Sequence, residues 1–223
     1  MLSSLKIPFH LEYAFNTKRA RMAKKFLSQL QVNIQGGSYP LKDLKIELRT
    51  FTKLRNYQEA ALKAIFFMND KKEELAKSGL IVLPCGAGKT LLGISTCCKI
   101  KKDTLIVCSG DVLVEQWRRE ILKWTSEIHP DQITVLTSRT DKFFKFNPKD
   151  DRGMILISTY SYLANKLMDK RDGSFREYEW IAKLPWGLAV FDEVQSLPAS
   201  GYQNIMYNIQ CHVKIGLTAT PHR

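Results

Sequence analysis

The stretch GLIVLPCGAGKT, residues 79–90, decides the fold of this chain. Its first half, residues 79–84, is short and apolar throughout, as expected for a strand that is buried on both faces of a sheet. Its second half is rich in glycine and leads into a helical pattern over residues 89–100. A strand, a glycine loop and a helix in this order predict a phosphate-binding loop, because glycines let the backbone N–H groups approach a phosphate closely.

This loop and the first turn of the following helix predict the binding of ATP together with Mg²⁺. Lys89 would reach the β and γ phosphates, and the Thr90 hydroxyl would bind the Mg²⁺ ion. The full pattern G-x-x-x-x-G-K-T would place a glycine at position 83, where this chain has a leucine. The predicted cofactor-binding residues of the loop are Leu83, Pro84, Cys85, Gly86, Ala87, Gly88, Lys89 and Thr90.

The chain around this stretch alternates short apolar runs with amphipathic segments. Further strands are predicted at residues 104–109, 133–136, 154–158, 188–191 and 213–217, and a weaker one at 41–48. Helices are predicted at residues 17–31, 55–68, 89–100 and 111–125. Apolar strands that alternate with helices favour an α/β fold with a parallel sheet. The charged stretches 139–153 and 169–179 are predicted to be surface loops.

A second chemical signal is the run GLAVFDEVQ, residues 187–195, where an apolar strand ends in two acidic residues. Asp192 at the carboxyl end of the strand can hold the Mg²⁺ shell, and Glu193 can orient or deprotonate an attacking water. An acidic pair after an apolar run is a weak signal alone. Together with Lys89 upstream in one α/β domain, it predicts a nucleotide site at the carboxyl edge of the sheet.

Two weaker patterns flank these signals. The run LRNYQ, residues 54–58, supplies Arg55 and Gln58 as candidate nucleotide contacts about 30 residues before the phosphate loop. The Gln58 amide both donates and accepts hydrogen bonds, which suits the adenine edge, although an ordinary helix start is the alternative. The run TAT, residues 218–220, follows the last strand, where its hydroxyls could link the nucleotide site to a face that binds nucleic acid.

The composition is that of an ordinary soluble protein, with 44% hydrophobic and 25% charged residues. No apolar run approaches the roughly 18 residues of a membrane span, so no membrane partner is expected. The five cysteines include no CxxC pair, and no zinc-ligand spacing is present. Residues 1–80 hold 15 Lys and Arg against 7 Asp and Glu, out of a net charge of +12 for the whole chain. This basic front end favours a nucleic-acid partner, and a solvated basic face is the alternative.

The order of the motifs resembles the XPB family of superfamily-2 DNA translocases, the branch found in the transcription and repair factor TFIIH and in archaeal relatives. The runs that carry this resemblance are LRNYQ, LPCGAGKT, ISTY, DEVQSLPA and KIGLTATPHR, in order along residues 54–223. The resemblance implies a RecA-like P-loop NTPase fold, a three-layer sandwich with a parallel sheet. It places the first RecA-like lobe at residues 51–223 and leaves a basic region of uncertain role at residues 1–50. Nothing in the chain resembles the second lobe.

The resemblance also implies roles for further residues. The runs SGDVLVEQW and STY correspond to motifs that contact the phosphate backbone of a DNA strand, with packing of Val112, Val114 and Trp117 in the core as the alternative. The implied nucleic-acid-binding residues are Ser109, Gly110, Gln116, Trp117, Ser158, Thr159 and Tyr160. The implied coupling residues are Thr218, Ala219, Thr220 and Arg223. The implied catalytic residues are Lys89, Asp192, Glu193 and Gln195. Gln195 stands where the family usually has a histidine, and glutamine can form hydrogen bonds but cannot carry a proton.

The activity implied by the resemblance is ATP-driven translocation on duplex DNA, or its opening, during transcription initiation and excision repair. It further implies a second RecA-like lobe of the same parent protein and a TFIIH-like assembly as partners. The expected localisation is the nucleus, or the cytoplasm for a prokaryotic or viral protein. Because the second lobe would carry an arginine finger, worth about 10³–10⁵ in rate, the chain alone is expected to hydrolyse ATP very slowly.

Three other functions remain as alternatives. One is the motor of a restriction complex or of a viral superfamily-2 helicase, although the XPB-like motifs argue against the restriction motor. Another is a nucleotide-gated DNA-binding module without turnover, against which the intact Lys89, Asp192 and Glu193 argue. A P-loop kinase or GTPase is disfavoured, since the NKxD base-reading motif of GTPases is absent.

Overall fold

The computed structural model of this chain describes residues 40–68, 70, 74–140, 146–147, 149–168, 174–194 and 205–219. Within these residues the α-helices are α1 (Asn56–Ile65), α2 (Lys89–Ile100), α3 (Asp111–Trp124), α4 (Tyr160–Met168) and α5 (Ser174–Lys183). The strands are β1 (Glu47–Leu48), β2 (Phe66–Met68), β3 (Glu74–Ala76), β4 (Gly79–Val82), β5 (Thr104–Cys108), β6 (Thr125–Ser126), β7 (Ile133–Leu136), β8 (Ile155–Thr159), β9 (Trp186–Asp192) and β10 (Cys211–Thr218).

Six of these strands form one sheet in the order β4-β10-β9-β5-β8-β7, and every pairing in it is parallel. Every residue of β5, β8 and β9 is buried, which explains why these strands are mostly apolar rather than alternating between apolar and polar residues. Parallel neighbours cannot be joined by a tight turn, so each connection must cross over a face of the sheet. The parallel α/β sheet predicted from the sequence is confirmed.

The side chains of the sheet divide into two cores, one on each face. In β5, Ile106 and Cys108 pack in the core that contains helix α3 residues such as Trp117. Leu105 and Val107 point the other way, into the core that contains Leu163 of α4 and other residues of α4 and α5. Alternate residues of a strand face opposite sides, so helices cover both faces of the sheet. The result is the predicted three-layer sandwich.

The segment before the predicted domain boundary near residue 50 packs onto the same sheet. Leu44 and Ile46 are each 1% exposed and belong to the hydrophobic core that also contains Trp117 of α3. The backbone N–H of Leu44 donates to the Lys101 carbonyl at 2.9 Å, and β1 pairs with β6. The folded unit therefore includes residues from 40 onward. The predicted helix at residues 17–31 lies outside the described residues.

Three expectations about local structure are wrong in part. The helix predicted for residues 55–68 ends at Ile65, and Phe66–Met68 instead forms an antiparallel hairpin with Glu74–Ala76. Aromatic residues favour strands, and the hairpin supplies the backbone hydrogen bonds that a longer helix would have supplied. The charged stretch predicted as a loop at 169–179 becomes helix α5 from Ser174 onward, and Tyr178 is buried in the core beside Tyr162 of α4. Of the predicted strand at 41–48, only Glu47–Leu48 is paired as a strand.

Candidate nucleotide site

The carboxyl ends of β4, β9 and β10 lie side by side. Thr218 at the end of β10 pairs with Val82 of β4, and Leu217 pairs with Asp192 of β9. The Leu83 N–H, one residue after β4, donates to the Thr218 carbonyl at 3.0 Å. The segments that follow these three strands therefore start from one edge of the sheet, which we call the carboxyl edge. Ligands of open parallel α/β sheets bind at this edge.

The loop between β4 and α2 has the conformation that only glycine adopts easily. Gly86 and Gly88 have φ angles of 75° and 78°, in the left-handed region. Gly88 caps helix α2, which begins at Lys89. The first N–H groups of a helix lack partners within the helix and carry the positive end of its dipole, so this loop end suits an anion. The predicted phosphate loop thus has the backbone that its chemistry requires.

Helix α1 supports this loop through hydrogen bonds from Tyr57 and Gln58. The Tyr57 hydroxyl donates to the Ala87 carbonyl at 2.9 Å. The Gln58 Nε2 group donates to the same carbonyl at 3.1 Å, and Gln58 Oε1 accepts from the Arg55 backbone N–H at 2.9 Å. A Cβ atom at Gly88 would lie 2.5 Å from Gln58 Nε2, so only glycine lets the loop approach this closely.

The two ends of the Gln58 amide therefore have protein partners. Gln58 is 3% exposed, and its amide supports the phosphate loop and the first turn of α1. Contact with adenine, for Gln58 and for the exposed Arg55, stays a prediction. The sequence reasoning missed Tyr57, although the residue lies in the LRNYQ run that was singled out. The sequence could not assign a partner to its hydroxyl, because Ala87 is 30 residues away and comes close only when α1 packs against the loop.

Asp192 is buried at the end of β9 and is held through both carboxylate oxygens. Its Oδ2 atom accepts from the indole N–H of Trp117 at 2.8 Å, and its Oδ1 atom accepts from the Glu193 N–H at 3.0 Å. Burial raises the pKa of Asp192, and the hydrogen bond from Trp117 partly offsets this increase. The Lys89 ammonium also favours the ionised carboxylate. Asp192 is thus oriented at the carboxyl edge beside the phosphate loop.

Glu193 lies close to Lys89, the lysine at the start of helix α2. Its Oε1 atom lies 3.6 Å from Lys89 Nζ, and both side chains are partly exposed. The φ angle of Glu193 is 52°, a left-handed conformation that costs a non-glycine residue about 1–3 kcal/mol. Such strained residues cluster at functional sites, because the surrounding structure holds them in place. Lys89, Asp192 and Glu193 are therefore brought together by the fold.

The residues at this edge fit ATP and Mg²⁺. The glycine loop and Lys89 provide positive partial and full charge for phosphate groups. Thr90 at the start of α2 and Asp192 supply a hydroxyl and a carboxylate, the hard oxygen ligands that Mg²⁺ prefers. Mg²⁺ keeps several ligands from water and phosphate, so one or two protein oxygens suffice for such a site.

Four of the side chains expected to contact nucleic acid are buried instead: Trp117, Ser158, Thr159 and Tyr160. The Ser158 hydroxyl donates to the Leu136 carbonyl at 2.6 Å, and the Tyr160 hydroxyl donates to the Asp192 carbonyl at 2.9 Å. Strand β8 lies inside the sheet with helices over both faces, which accounts for the burial of Ser158 and Thr159. These four side chains are packed inside the lobe, and nucleic-acid contact by these residues stays a prediction. The core alternative holds for Trp117.

Other residues in the same runs remain accessible. Ser109 is exposed, and Gly110 and Gln116 are partly exposed, at the carboxyl edge or on helix α3. Val112 is 83% exposed, whereas Val114 is buried, so the core alternative fails for Val112 alone. Nucleic-acid contact by Ser109, Gly110 and Gln116 stays a prediction.

The predicted coupling residues are only partly described. Thr218 is buried and its carbonyl accepts from Leu83, which links β10 to the phosphate loop. Ala219 is partly exposed just beyond it. Thr220, Arg223 and the predicted catalytic Gln195 lie outside the described residues. Among the helices that the structure describes, none has the length and apolar character needed to cross a membrane.

The sequence is similar to curated relatives over four fifths of its length. It is 39% identical over 178 residues to the "General transcription and DNA repair factor IIH helicase/translocase subunit XPB" of Schizosaccharomyces pombe, covering 80% of this chain and 21% of the relative. The subunit of the same name from Drosophila melanogaster is 36% identical over 182 residues, with 80% and 21% covered. The chain thus spans about a fifth of the length of these relatives.

Solved structures share the fold. The Hef helicase domain of Pyrococcus furiosus superposes with a TM-score of 0.56 at 24% identity, covering 79% of this chain and 35% of that one. The UvsW helicase of bacteriophage T4 gives 0.54 at 16% identity, with 90% and 60% covered. The SWI2/SNF2 ATPase core of Sulfolobus solfataricus, solved with double-stranded DNA, gives 0.51 at 20% identity, with 76% and 32% covered. These likenesses support the RecA-like α/β fold.

A protein-family model also matches most of the chain. Residues 51–223 match the family described as type III restriction enzyme, res subunit. The similarity to XPB subunits confirms the resemblance that the order of the motifs predicted. The chain belongs to the family described as type III restriction enzyme, res subunit, and is similar in sequence to XPB helicase/translocase subunits.

Proposed function

We propose that this chain is the nucleotide-binding first lobe of an ATP-dependent DNA helicase or translocase. One observation carries the proposal: Lys89, Asp192 and Glu193 meet at the carboxyl edge, beside a phosphate loop with two left-handed glycines. A structural ion pair alone would not require the glycine loop, the helix start and the strained glutamate together. This combination matches the parts that phosphoryl-transfer enzymes use to hold and hydrolyse a nucleoside triphosphate.

Each residue has a separate role in the proposed reaction. Lys89 and the N–H groups at the start of α2 bind the β and γ phosphates of ATP. Thr90 and Asp192 hold Mg²⁺, which neutralises charge on the phosphate oxygens when it is bound. Glu193 orients a water molecule and accepts its proton. Phosphate oxygens would compete with Glu193 for Lys89, so nucleotide binding would leave the glutamate carboxylate to the water.

The proposed nucleic-acid contact rests on the relatives and on accessible residues at the carboxyl edge. The relatives are named as helicase/translocase subunits of a general transcription and DNA repair factor, and one structural neighbour was solved with double-stranded DNA. Ser109 and Gly110 are accessible at the carboxyl edge, where a phosphate backbone could be bound without regard to sequence. On the basis of these relatives and this neighbour, we propose duplex DNA, a second RecA-like lobe and a TFIIH-like assembly as partners. The corresponding localisation is the nucleus, or the cytoplasm for a prokaryotic or viral protein.

The proposed nucleotide site is tested by equilibrium binding of ATP, with and without Mg²⁺, to the wild type and to Lys89→Ala. Hydrogen bonds to charged groups contribute about 1.5–3 kcal/mol, so the variant should bind ATP about 10–100-fold more weakly. Lys99→Ala is the matched control. Lys99 lies on the same helix and forms an exposed ion pair with Glu74 at 2.7 Å, away from the loop. Equal affinity for Lys89→Ala and wild type would overturn the proposal.

ATP turnover with and without duplex DNA then separates the remaining functions. Slow turnover by the chain alone, accelerated on addition of a second lobe, would support a translocase lobe. Tight binding without turnover under all of these conditions would favour a nucleotide-gated DNA-binding module. The family description also keeps a restriction motor open. Stimulation only by DNA that carries a particular recognition sequence would favour that motor over a sequence-independent translocase.

A further inference from the structure

Trp117 is buried directly beside a carboxylate of the proposed site. It is 1% exposed, and its Nε1–H donates to Oδ2 of Asp192 at 2.8 Å. The two residues are 75 positions apart in the chain, and Asp192 is itself only 5% exposed. The second carboxylate oxygen accepts from the Glu193 backbone. Trp117 is therefore the side-chain donor that fixes the rotation of this carboxylate.

The same indole packs against the helix that carries the other half of the site. A Cβ atom at Gly93 would lie 2.5 Å from Cη2 and 3.2 Å from Cζ3 of Trp117, so the ring lies against the backbone of α2. Gly93 is one helical turn after Lys89 and Thr90. A helix normally disfavours glycine by roughly 1 kcal/mol relative to alanine, and here the missing side chain gives the indole its place. Trp117 thus contacts the strand that ends in Asp192 and the helix that begins with Lys89.

We propose that Trp117 is a positioning residue that holds the Asp192 carboxylate in the orientation needed to bind the divalent cation together with Thr90. The inference rests on the proposed function. Partners of metal ligands fix the orientation of those ligands, and their loss typically weakens metal binding about 10–100-fold. Asp192 is only 5% exposed, and each of its carboxylate oxygens accepts one hydrogen bond, from Trp117 and from the Glu193 N–H. The indole therefore sets which carboxylate lone pairs are directed toward the phosphate loop.

Trp186 offers a matched comparison inside the same chain. It is fully buried, and its Nε1–H donates to the Ile181 backbone carbonyl at 2.8 Å. It lies in the core on the opposite face of the sheet from Trp117. Replacing either tryptophan by phenylalanine keeps an aromatic ring and removes one buried N–H bond. Only the Trp117 bond ends on a carboxylate of the site.

The experiment compares wild type, Trp117→Phe and Trp186→Phe by Mn²⁺ titration in the presence of saturating ATP, with free Mn²⁺ measured by electron paramagnetic resonance. Trp117→Phe should raise the Mn²⁺ concentration at half-saturation about 10–100-fold. Its affinity for ATP in EDTA should stay within about twofold of wild type, because the phosphate loop and Lys89 are intact. Trp186→Phe should change neither quantity, although both variants should lose thermal stability. An equal Mn²⁺ midpoint for the two variants would overturn the inference.

A second variant keeps the test informative if Trp117→Phe does not fold. Gly93→Ala places a methyl group against the indole and should displace it from Asp192, which raises the Mn²⁺ midpoint while Trp117 itself is retained. An unchanged midpoint in folded Gly93→Ala would also count against the inference. Lys89→Ala in EDTA separates the two proposals. If that variant binds ATP as tightly as wild type, the nucleotide site itself is wrong, whereas a weakened Lys89→Ala with unaltered Mn²⁺ midpoints rejects only the role of Trp117.

Discussion

Replacing Gln58 by alanine tests whether this residue supports the phosphate loop or only reads the base. The wild-type amide accepts from the Arg55 N–H at 2.9 Å and donates to the Ala87 carbonyl at 3.1 Å. Alanine removes both bonds and leaves the N–H and the carbonyl to find other partners. A residue that only read adenine would stabilise neither the folded chain nor a ligand without a base. The two roles therefore predict different outcomes.

The expected size of the effect follows from these two bonds. Each hydrogen bond contributes about 0.5–1.5 kcal/mol net, so Gln58→Ala should lower the free energy of unfolding by about 1–3 kcal/mol. For a chain of this size, that loss corresponds to a decrease in Tm of about 2–12 °C. If about 1 kcal/mol of the loss comes from a less ordered loop, binding of any triphosphate should weaken about fivefold.

The assay combines thermal unfolding of the protein without nucleotide with the affinities for ATP, GTP and inorganic tripolyphosphate. Loop support predicts a lower Tm and a similar loss of affinity for all three ligands. Lys63→Ala, an exposed change on the same helix, should alter the free energy of unfolding by no more than about 0.5 kcal/mol. An unchanged Tm and unchanged tripolyphosphate affinity, with only the preference for ATP over GTP lost, would refute loop support and leave base reading.

Three further outcomes follow from burial. Alkylation of Cys85, the exposed cysteine of the phosphate loop, should slow about tenfold when MgATP is present at ten times its Kd, and mass spectrometry would measure the rate. An unchanged rate would place the nucleotide elsewhere. The buried cysteines serve as internal controls: Cys97, Cys98, Cys108 and Cys211. Leu44→Ala should lower the free energy of unfolding in urea by about 2–5 kcal/mol, and no loss would show that the segment before residue 50 is dispensable for the core. Burial lowers the pKa of Lys214 below its ordinary value of 10.5. Just below pH 10.5 the unfolded chain therefore binds more protons at this lysine than the folded chain does. The free energy of unfolding should rise with pH in that window. Lys214→Met should lose this rise while Lys99→Met keeps it, and identical pH profiles would refute the assignment.

Much of the fold could be predicted because its signals are local. The apolar strands and the helix at 89–100 can be predicted from patterns that span a few neighbouring residues. In the structure, the ends of these elements differ from the predicted ends by at most two residues. The hairpin at Phe66–Met68 could not be read in this way. Its pairing with Glu74–Ala76 competes with a helical pattern that continues through the same residues, and only the completed ladder decides between the two.

The parallel α/β class, the phosphate loop and the acidic pair at the end of a strand can be predicted from the sequence, because each depends on neighbouring residues. How those parts are held depends on contacts between residues that are distant in the chain. The resemblance implies nucleic-acid contact for Trp117 and Tyr160, with core packing as the alternative for Trp117, and in the structure both residues bond to Asp192 over separations of 75 and 32 residues. Burial and hydrogen-bond partners at such separations depend on the packing of α3 and β8 against the sheet. No local pattern records that packing, since the same residues could face solvent or the core until the helices are placed.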